Sequence, residues 1–381
     1  MKNDYILSFV LLFQMVVVTL QLIMPLYALA TEETAATYRV LVTVFTYLPA
    51  IWIVVKRSMP SLFIPFAVYI IVILFHYVLF PDSSKFIESR QAVTLTPIAI
   101  LTAVIIYNIR NFSVFTNVLL WVSRISPLFA LLYVWGRQNL PVELTSSYSM
   151  AFGYSMLLPS AFLFTQKSLI DRLLSASLFL MILLAGSRGP VFVLALFILA
   201  DLLFLSSAKK KMKTIVSLLI IGMVSLPLAY KYFDFESSRT ISLFSNNEVI
   251  SHTSDRDVIY ERAMASILES PIWGHGIGSD RLIVGTYCHN IFLEVTLHYG
   301  IFVSTILFGL LFYVVLYLYF HPKILEPYGG RRLFVIVFLY GFIPKCVSGS
   351  YLIDFSFAMM LGYLFLCLKN SNKGIGKRAN F

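Results

Sequence analysis

Long apolar segments recur along the whole chain and are separated by short polar ones. Most are close to the roughly 20 residues that an α-helix needs to cross a bilayer. They lack the alternation of apolar and polar positions that membrane β-barrel strands show, so the pattern predicts helices. The candidate spans are residues 6–30, 40–55, 62–80, 92–107, 112–134, 149–165, 170–186, 190–206, 214–231, 289–319, 333–347 and 351–368.

The composition agrees with this pattern. Hydrophobic residues make up 59% of the chain, charged residues make up 13%, and the mean hydropathy is +0.84. A soluble globular chain is nearer half apolar and about a quarter charged. The first segment ends in Ala28-Leu29-Ala30, which resembles a signal-peptidase site, but the segment is too long for the core of a signal peptide. We therefore expect an all-α, polytopic membrane protein with about twelve spans, forming a single integral membrane domain over residues 1–381.

The basic residues orient this chain. If the N-terminus is cytoplasmic, most cations fall in loops on that same side, as the positive-inside rule requires. They are Lys56, Arg57, Arg110, Lys167, Arg172, Lys209, Lys210, Lys211, Lys213, Lys323, Arg331, Arg332, Lys369, Lys373, Lys377 and Arg378. Both termini are then cytoplasmic, and residues 232–288 form one larger outside loop. We expect short helices there, lying over the membrane face.

Charge and cysteine content exclude two other classes. The net charge of +10 does not indicate nucleic-acid binding, because most of the excess lies in short loops and the tail. Cys288, Cys346 and Cys367 are too few and too scattered for a disulfide framework or a cysteine-ligated metal site.

Ionisable residues gather at the start of the apolar segment 289–319. Asn290, Glu294 and His298 follow at helical spacing, and His289 stands at the outer end. Histidine is the side chain best suited to accept a proton near neutral pH. The alternative is an interfacial histidine bonded to the loop backbone. We expect no metal site, because His289 has neither a second histidine at ligand spacing nor a carboxylate cluster beside it.

Two arginines outside that segment are candidates for anion binding or ion pairing. Arg188 stands in the glycine-flanked turn 186–190, and its planar fork suits phosphate. An incidental cation in a helical hairpin is the alternative. Arg124 lies within span 112–134, where an arginine needs a partner. Glu294 is a candidate partner, and both an ion pair and a substrate contact remain open.

The outside loop contains a predicted amphipathic helix over residues 254–271. Its apolar face comprises Ile259, Ala263, Met264 and Ile267, and Ser254 with Asp257 resembles a capping box. Arg256 falls in the first turn, where a cation gains nothing from the helix dipole, so an anionic partner is plausible. Arg262 fits either such a role or local pairing on a solvated face. The glycine-rich stretch 274–279 could present backbone N–H groups to an anion, but a flexible turn is favoured.

Taken together, these motifs resemble the bacterial O-antigen polymerase and O-antigen ligase superfamily. The elements are Ser187-Arg188-Gly189, then Arg256 and Tyr260 ahead of the Pro- and Gly-containing stretch 271–278, then His289-Asn290 with Gly300 ten residues after Asn290. The block covers about residues 180–305. Tyr260 stands where the ligases have a leucine, and Val303 where they often have glycine or threonine. These departures favour a polymerase over a ligase.

The resemblance implies a GT-C-like fold and metal-independent, inverting glycosyl transfer at the periplasmic face of the bacterial inner membrane. The donor would be a glycan on undecaprenyl pyrophosphate, no cofactor would be needed, and lipid would surround the site. The resemblance suggests that His289 acts as the base, oriented by Asn290 or Glu294. It also suggests that Arg188 and Arg256 stabilise the leaving pyrophosphate, with Arg262 or Arg281 assisting. The expected substrate-binding residues are Asn290, Arg262, Arg281, Glu294 and Arg124.

Three functions remain open. A polymerase would join repeat units, each carried on undecaprenyl pyrophosphate as donor and acceptor, and family polymerases work alongside a chain-length regulator. A ligase would pass the finished glycan to lipid A-core. A transporter or flippase of lipid-linked sugars would need charges spread through its spans, whereas here they gather at one face. Protein O-glycosylation and unrelated membrane functions are less favoured, and no nucleic-acid partner is expected.

Overall fold

The computed structural model describes residues 1–81, 91–138, 149–186, 188–206, 211–212 and 256–376. All regular secondary structure in this part of the chain is helical, which confirms the all-α prediction. The helices are α1 Lys2–Leu26, α2 Glu32–Leu79, α3 Thr96–Tyr107, α4 Phe112–Gln138, α5 Met150–Phe164, α6 Leu169–Leu184, α7 Arg188–Ala200, α8 Arg256–Glu269, α9 Asp280–Ile283, α10 Ile291–Phe320, α11 Pro322–Leu325, α12 Gly330–Val347 and α13 Phe355–Gly376. Short π-helical turns precede α3 and follow α7.

Contacts along the chain divide it into two compact units. The first comprises residues 1–50, 111–251 and 331–339, and the second comprises residues 51–110, 252–330 and 340–381. That all 381 residues form one membrane domain, with the loop 232–288 contributing to the active site, stays a prediction.

The first unit packs α1 against α4 and α5, with α6 and α7 alongside. Its core contains Ile23, Val134, Met156 and Leu178, and the rings of Tyr133 and Phe152 stack at a centroid distance of 4.1 Å. Aromatic stacking adds to the burial of apolar area, so this contact fixes α4 against α5.

In the second unit, α3 crosses α13 closely and α8 lies on α10. Gly362 allows the first of these crossings, because a Cβ there would lie 2.3 Å from the Ala103 carbonyl oxygen. Ala263 and Ile267 of α8 are buried against Cys288 and Leu297, which fastens the loop helix to the start of α10. The amphipathic helix is therefore confirmed, although Met264 is 49% exposed and Ser254 lies outside the described residues.

Within the described residues, five helices are long and apolar enough to cross a membrane, namely α1, α2, α4, α7 with its π-helical extension, and α10. Shorter apolar helices lie at Ala92–Tyr107, Met150–Phe164 and Phe355–Lys369. Large apolar side chains on α2, such as Phe45 and Phe75, are about two-thirds exposed, as expected of residues that face lipid. The count of twelve spans stays a prediction, and span 214–231 lies outside the described residues.

Spans 40–55 and 62–80 were expected as separate helices joined by a basic loop. Both are helical, as expected, and they form the two halves of α2, which meet at Ser58, the residue of α2 with non-helical backbone angles. Pro60 follows two residues later. In an unbroken helix, its ring would clash with the carbonyl of the residue four positions earlier. The break is therefore a kink, and Lys56 and Arg57 are helical.

Candidate functional site

The helix α10 is broken at Gly300, ten residues after Asn290. Gly300 has φ 75° and ψ 171°, a backbone conformation that side chains disfavour. A Cβ at this position would lie 2.0 Å from the Ile272 carbonyl oxygen, and the Ile301 N–H donates to the Pro271 carbonyl at 2.7 Å. The absence of a side chain at Gly300 therefore lets the backbone of Pro271 and Ile272 pack into the break in α10.

The glycine-rich stretch 274–279 packs against this break. Its first four N–H groups donate within the chain: Gly274 to Ser270 O, His275 to Leu297 O, Gly276 to His298 O and Ile277 to His76 Nδ1, at 2.8–3.1 Å. A Cβ on Gly276 would lie 1.9 Å from the His76 ring. The bonds to Leu297 and His298 cap carbonyls left open where α10 breaks. All four N–H groups have partners within the chain, so they are not directed at an anion.

The His289-Asn290 pair forms the entry to α10. Asn290 caps the helix, since its side-chain oxygen accepts from the N–H groups of Phe292 at 2.9 Å and Leu293 at 3.4 Å. His289 has φ 55°, unusual for a residue other than glycine. Asn290 was expected to orient His289 or bind substrate. Its oxygen instead holds the helix start, and substrate binding by Asn290 stays a prediction.

His289 and Arg256 lie within electrostatic reach of each other. Burial, with a further contribution from the Arg256 charge, lowers the pKa of His289 to about 4. The His289 ring lies 4.2 Å from that of Tyr287, and its Nδ1 is buried without a hydrogen-bond partner among the described residues. Arg256 Nη1 donates to the Val347 carbonyl at 2.8 Å, which ties the first turn of α8 to the end of α12.

We expect His289 to titrate far below an ordinary histidine. Because its pKa is lowered, the ring stays neutral as the pH falls through 6.5 and gains its proton only near pH 4. NMR of histidine-labelled protein in detergent micelles, assigned by comparison with His289→Gln, would follow this transition. Exposed His321 serves as an internal comparison in the same spectra. A His289 midpoint near 6.5 would show that neither burial nor Arg256 acts on the ring.

A buried charge cluster lies beside this pair. Arg281 Nη1 donates to both oxygens of Asp280 at 2.6 Å and to Glu294 Oε1 at 3.0 Å, while its Nη2 donates to Ser350 Oγ at 2.8 Å. Ser350 Oγ also donates to Glu294. The side chains of Asp280 and Glu294 are fully buried. The cluster therefore joins α9, α10 and the turn between α12 and α13 by charge-assisted bonds.

His298 completes this cluster. Its Nε2 lies 3.0 Å from Asp280 Oδ1, and its Nδ1 lies 2.9 Å from the Tyr351 hydroxyl. Burial alone would raise the pKa of Asp280, but the contacts with His298 and Arg281 outweigh it and hold that pKa below its usual range. Asp280 is thus an ionised acceptor that fixes the orientation of His298.

A carboxylate cluster, not expected from the sequence, therefore exists near His289. Ligand-type atoms of Asp280, Glu294 and His298 lie within 4.8 Å of one another, a spacing compatible with a metal ion. However, the Arg281 guanidinium already bonds both carboxylates and neutralises much of their charge. The described donors fit an internal ion network better than a metal centre.

Three predicted binding residues have other partners. Glu294, expected to orient His289, instead bonds Arg281 and Ser350. Arg281, expected to assist at pyrophosphate, is held by the buried cluster, and its side chain is only 16% exposed. Arg124 pairs with Asp171 rather than with Glu294, through two bonds of 2.7 and 3.0 Å. Arg262 is exposed on α8, and its role in binding stays a prediction.

Arg188 belongs to the first unit, where it is the exposed first residue of α7 rather than the tip of a turn. Ser187 lies outside the described residues. Gly189 packs under Tyr154, since a Cβ there would lie 2.3 Å from the Tyr154 hydroxyl oxygen. This close approach accounts for the glycine of the Ser-Arg-Gly motif, while the anion-binding role of Arg188 stays a prediction.

Asp280, Ser350 and Tyr351 were not predicted from the sequence. Asp280 directly precedes Arg281 in the sequence, and adjacent acidic and basic residues usually indicate a solvent-exposed ion pair. The stretch 348–350 is polar and lies between two predicted spans, and this was the sequence signal for Ser350. Predicted span 351–368 placed Tyr351 inside a helix, but α13 begins at Phe355, after Lys345 has paired with Asp354 across the turn.

Residues 173–314 match the family model described as O-antigen ligase. No curated protein and no solved structure matches the chain. The matched segment holds α7 to α9 and most of α10, and with them every predicted site residue except Arg124. With the five apolar helices, this match indicates a multi-pass membrane protein with a glycosyltransferase-like activity. The resemblance to the O-antigen polymerase and O-antigen ligase superfamily is therefore confirmed for the part of the chain that carries the motifs.

Proposed function

We propose that the protein is a polysaccharide polymerase. It would join repeat units carried on undecaprenyl pyrophosphate at the periplasmic face of the bacterial inner membrane. The observation that carries this proposal is His289 beside Arg256, at the point where α10 begins. A neutral imidazole with an unpartnered nitrogen can accept a proton, and a guanidinium can stabilise a leaving phosphate.

The proposed reaction is an inverting displacement. His289 takes the proton from a sugar hydroxyl of the acceptor as the oxygen attacks the anomeric carbon of the donor. The bond from that carbon to the pyrophosphate oxygen breaks, and Arg256 stabilises the negative charge that develops on the lipid pyrophosphate. The undecaprenyl tail stays in lipid, since the site lies at the end of a membrane helix. Arg188 is a second candidate for the pyrophosphate, on the strength of its sequence motif.

Binding of the donor would itself raise the pKa of His289. The Arg256 charge and burial hold the pKa of His289 near 4, which makes a weak base in the free protein. A pyrophosphate beside Arg256 would offset the positive charge and raise the pKa of His289 towards neutrality. A general base works best when its pKa lies near the working pH. The proposed site therefore becomes competent only when the donor is bound.

A ligase is the second candidate, because the matching family model carries that description. Gel analysis of surface glycan from a strain lacking the protein separates the two functions. Loss of a polymerase leaves lipid A-core capped with a single repeat and no ladder. Loss of a ligase leaves full-length polymer on the lipid carrier and bare lipid A-core. An unchanged ladder contradicts both functions and favours a transporter or a different glycan.

We expect polymerisation by the purified protein to survive EDTA. The proposed reaction relies on guanidinium groups for leaving-group stabilisation, and Arg281 already neutralises the carboxylates of the metal-like cluster. The measurement is product length after treatment with EDTA, compared with EDTA saturated in advance with calcium. Loss of product that is restored by one divalent ion would contradict the metal-free reaction. Asp280, Glu294 and His298 would then be the candidate metal ligands.

A further inference from the structure

The surroundings of α10 change at Gly300. Before the break, Glu294, Leu297 and His298 are buried, and the two ionisable side chains belong to the buried charge cluster. After the break, most of the helix is exposed, and residues 301–320 include no charged side chain. Protein therefore surrounds the first part of α10, whereas the second part has the uncharged, mainly apolar surface of a helix that faces lipid.

The length of α10 indicates where its membrane crossing begins. Its 30 residues would extend about 45 Å in a straight helix, which exceeds the roughly 30 Å of hydrocarbon in a bilayer. Residues 301–320 alone extend about 30 Å and match that thickness. The length and the surface of α10 therefore both favour a crossing that begins next to Gly300 and ends near Phe320.

The turn 271–273, which packs into the break, carries large exposed apolar side chains. Because the Pro271 carbonyl accepts from Ile301 at 2.7 Å, this turn lies at the level where the crossing begins. Ile272 is 51% exposed and Trp273 is 76% exposed. Tryptophan is enriched at membrane interfaces, where its ring can contact lipid while its N–H meets water. The composition and the position of the turn are therefore those of an interfacial anchor.

The exposed surface of the turn continues onto α10. Phe302, Ile306 and Leu310 follow the break at intervals of four residues, which places them on one helix face, and they are 58–67% exposed. Neither the turn 271–273 nor this face includes a charged residue. Lipid is the partner that fits an uncharged apolar surface running onto a membrane helix, because lipid chains are as apolar as these side chains.

We propose that the turn 271–273 inserts into the surface of the lipid bilayer, with Trp273 at the boundary between headgroups and acyl chains. On the predicted topology, this is the periplasmic leaflet. The backbone of the same turn bonds α10, so the insertion fastens the loop to the membrane beside the helix break. The anchor keeps α8 and the buried charge cluster at the membrane surface. It is separate from the glycan chemistry and does not depend on the proposed function.

Depth-dependent fluorescence quenching of the full-length protein tests this proposal. The chain has four tryptophans, so the variant Trp52→Phe/Trp121→Phe/Trp135→Phe retains Trp273 alone. It is reconstituted into phosphatidylcholine vesicles whose acyl chains carry bromine at different depths. We expect blue-shifted emission and a quenching profile that places Trp273 roughly 15 Å from the bilayer centre, which is half of the hydrocarbon thickness.

A second tryptophan position calibrates the measurement. Leu310 lies ten residues after Gly300, about 15 Å along the helix, and its side chain is exposed. With all four native tryptophans replaced by phenylalanine, Leu310→Trp should therefore be quenched most strongly by the deepest bromines. A clear difference in depth between the two positions is the expected result.

Three outcomes would overturn the proposal. Quenching of Trp273 by acrylamide but by no brominated lipid would place the turn in water. Protection from both quenchers would mean that protein, such as a second copy of this chain, covers the turn. A depth equal to that of Leu310→Trp would place the break inside the hydrocarbon region. If the triple variant does not fold, the difference in quenching between the wild type and Trp273→Phe gives the same profile.

Discussion

Replacing Arg256 with alanine is expected to reduce glycan polymer at least 100-fold while the protein remains in the membrane at its normal level. Removing one preorganised group that stabilises developing charge costs about 10²–10³-fold in turnover. Arg256 also lies close enough to lower the pKa of His289, so its loss changes both groups of the proposed site. The measurement is the glycan ladder, normalised to tagged protein in isolated membranes.

Controls distinguish this role from a structural one. Arg256 also bonds the Val347 carbonyl, so thermal unfolding of the variant must be measured as well. Arg256→Lys keeps the charge but loses the planar fork, and partial activity is expected. Glu269→Ala changes an exposed residue at the other end of α8 and should leave the ladder intact. A normal ladder from Arg256→Ala would remove the pyrophosphate-binding assignment.

Replacing Arg281 with alanine is expected to destabilise the protein by about 3–5 kcal/mol, the usual cost of removing one partner from a buried ion pair. Asp280 and Glu294 would then keep two fully buried carboxylates without their cation. One would have to take up a proton or admit water. The fluorescence-monitored thermal midpoint in detergent micelles should fall by many degrees, and the membrane level of the protein should fall with it.

A second substitution tests whether charge is the cause. In Arg281→Ala/Glu294→Gln one negative charge is removed, so part of the lost thermal stability should return. Arg262→Ala, an exposed change on α8, should alter stability by no more than about 0.5 kcal/mol. A single variant as stable as the wild type would mean that the cluster contributes little to the fold.

The helical architecture could be predicted because apolar length and helix hydrogen bonding determine it in lipid. The direct junction of the two halves of α2 at Ser58 could not be predicted, because a short polar break looks the same whether a loop or a kink joins the two helices. The exposed and buried faces of α8 followed from periodicity, except at Met264, whose position depends on where α8 meets α10.

The candidate site was predictable only in part. His289 and Arg256 stood out because they are chemically active residues at the start of helices, and the structure places them within electrostatic reach of each other. The partner of Glu294 was not predictable, since Arg281 and Ser350 approach it from distant parts of the sequence. The same holds for Arg124 and Asp171, which are 47 positions apart.

Arg256 donates to the Val347 carbonyl, Arg281 donates to Ser350, and Ser350 donates to Glu294. All three hydrogen bonds reach beyond residue 314, where the family match ends. The matched segment therefore does not contain all the residues that hold the site in place. The end of α12 holds Arg256, and the turn after α12 holds Arg281 and Glu294. A chimaera that exchanges specificity with a relative must carry the sequence through Tyr351, or the grafted site will lack the residues that hold it in place.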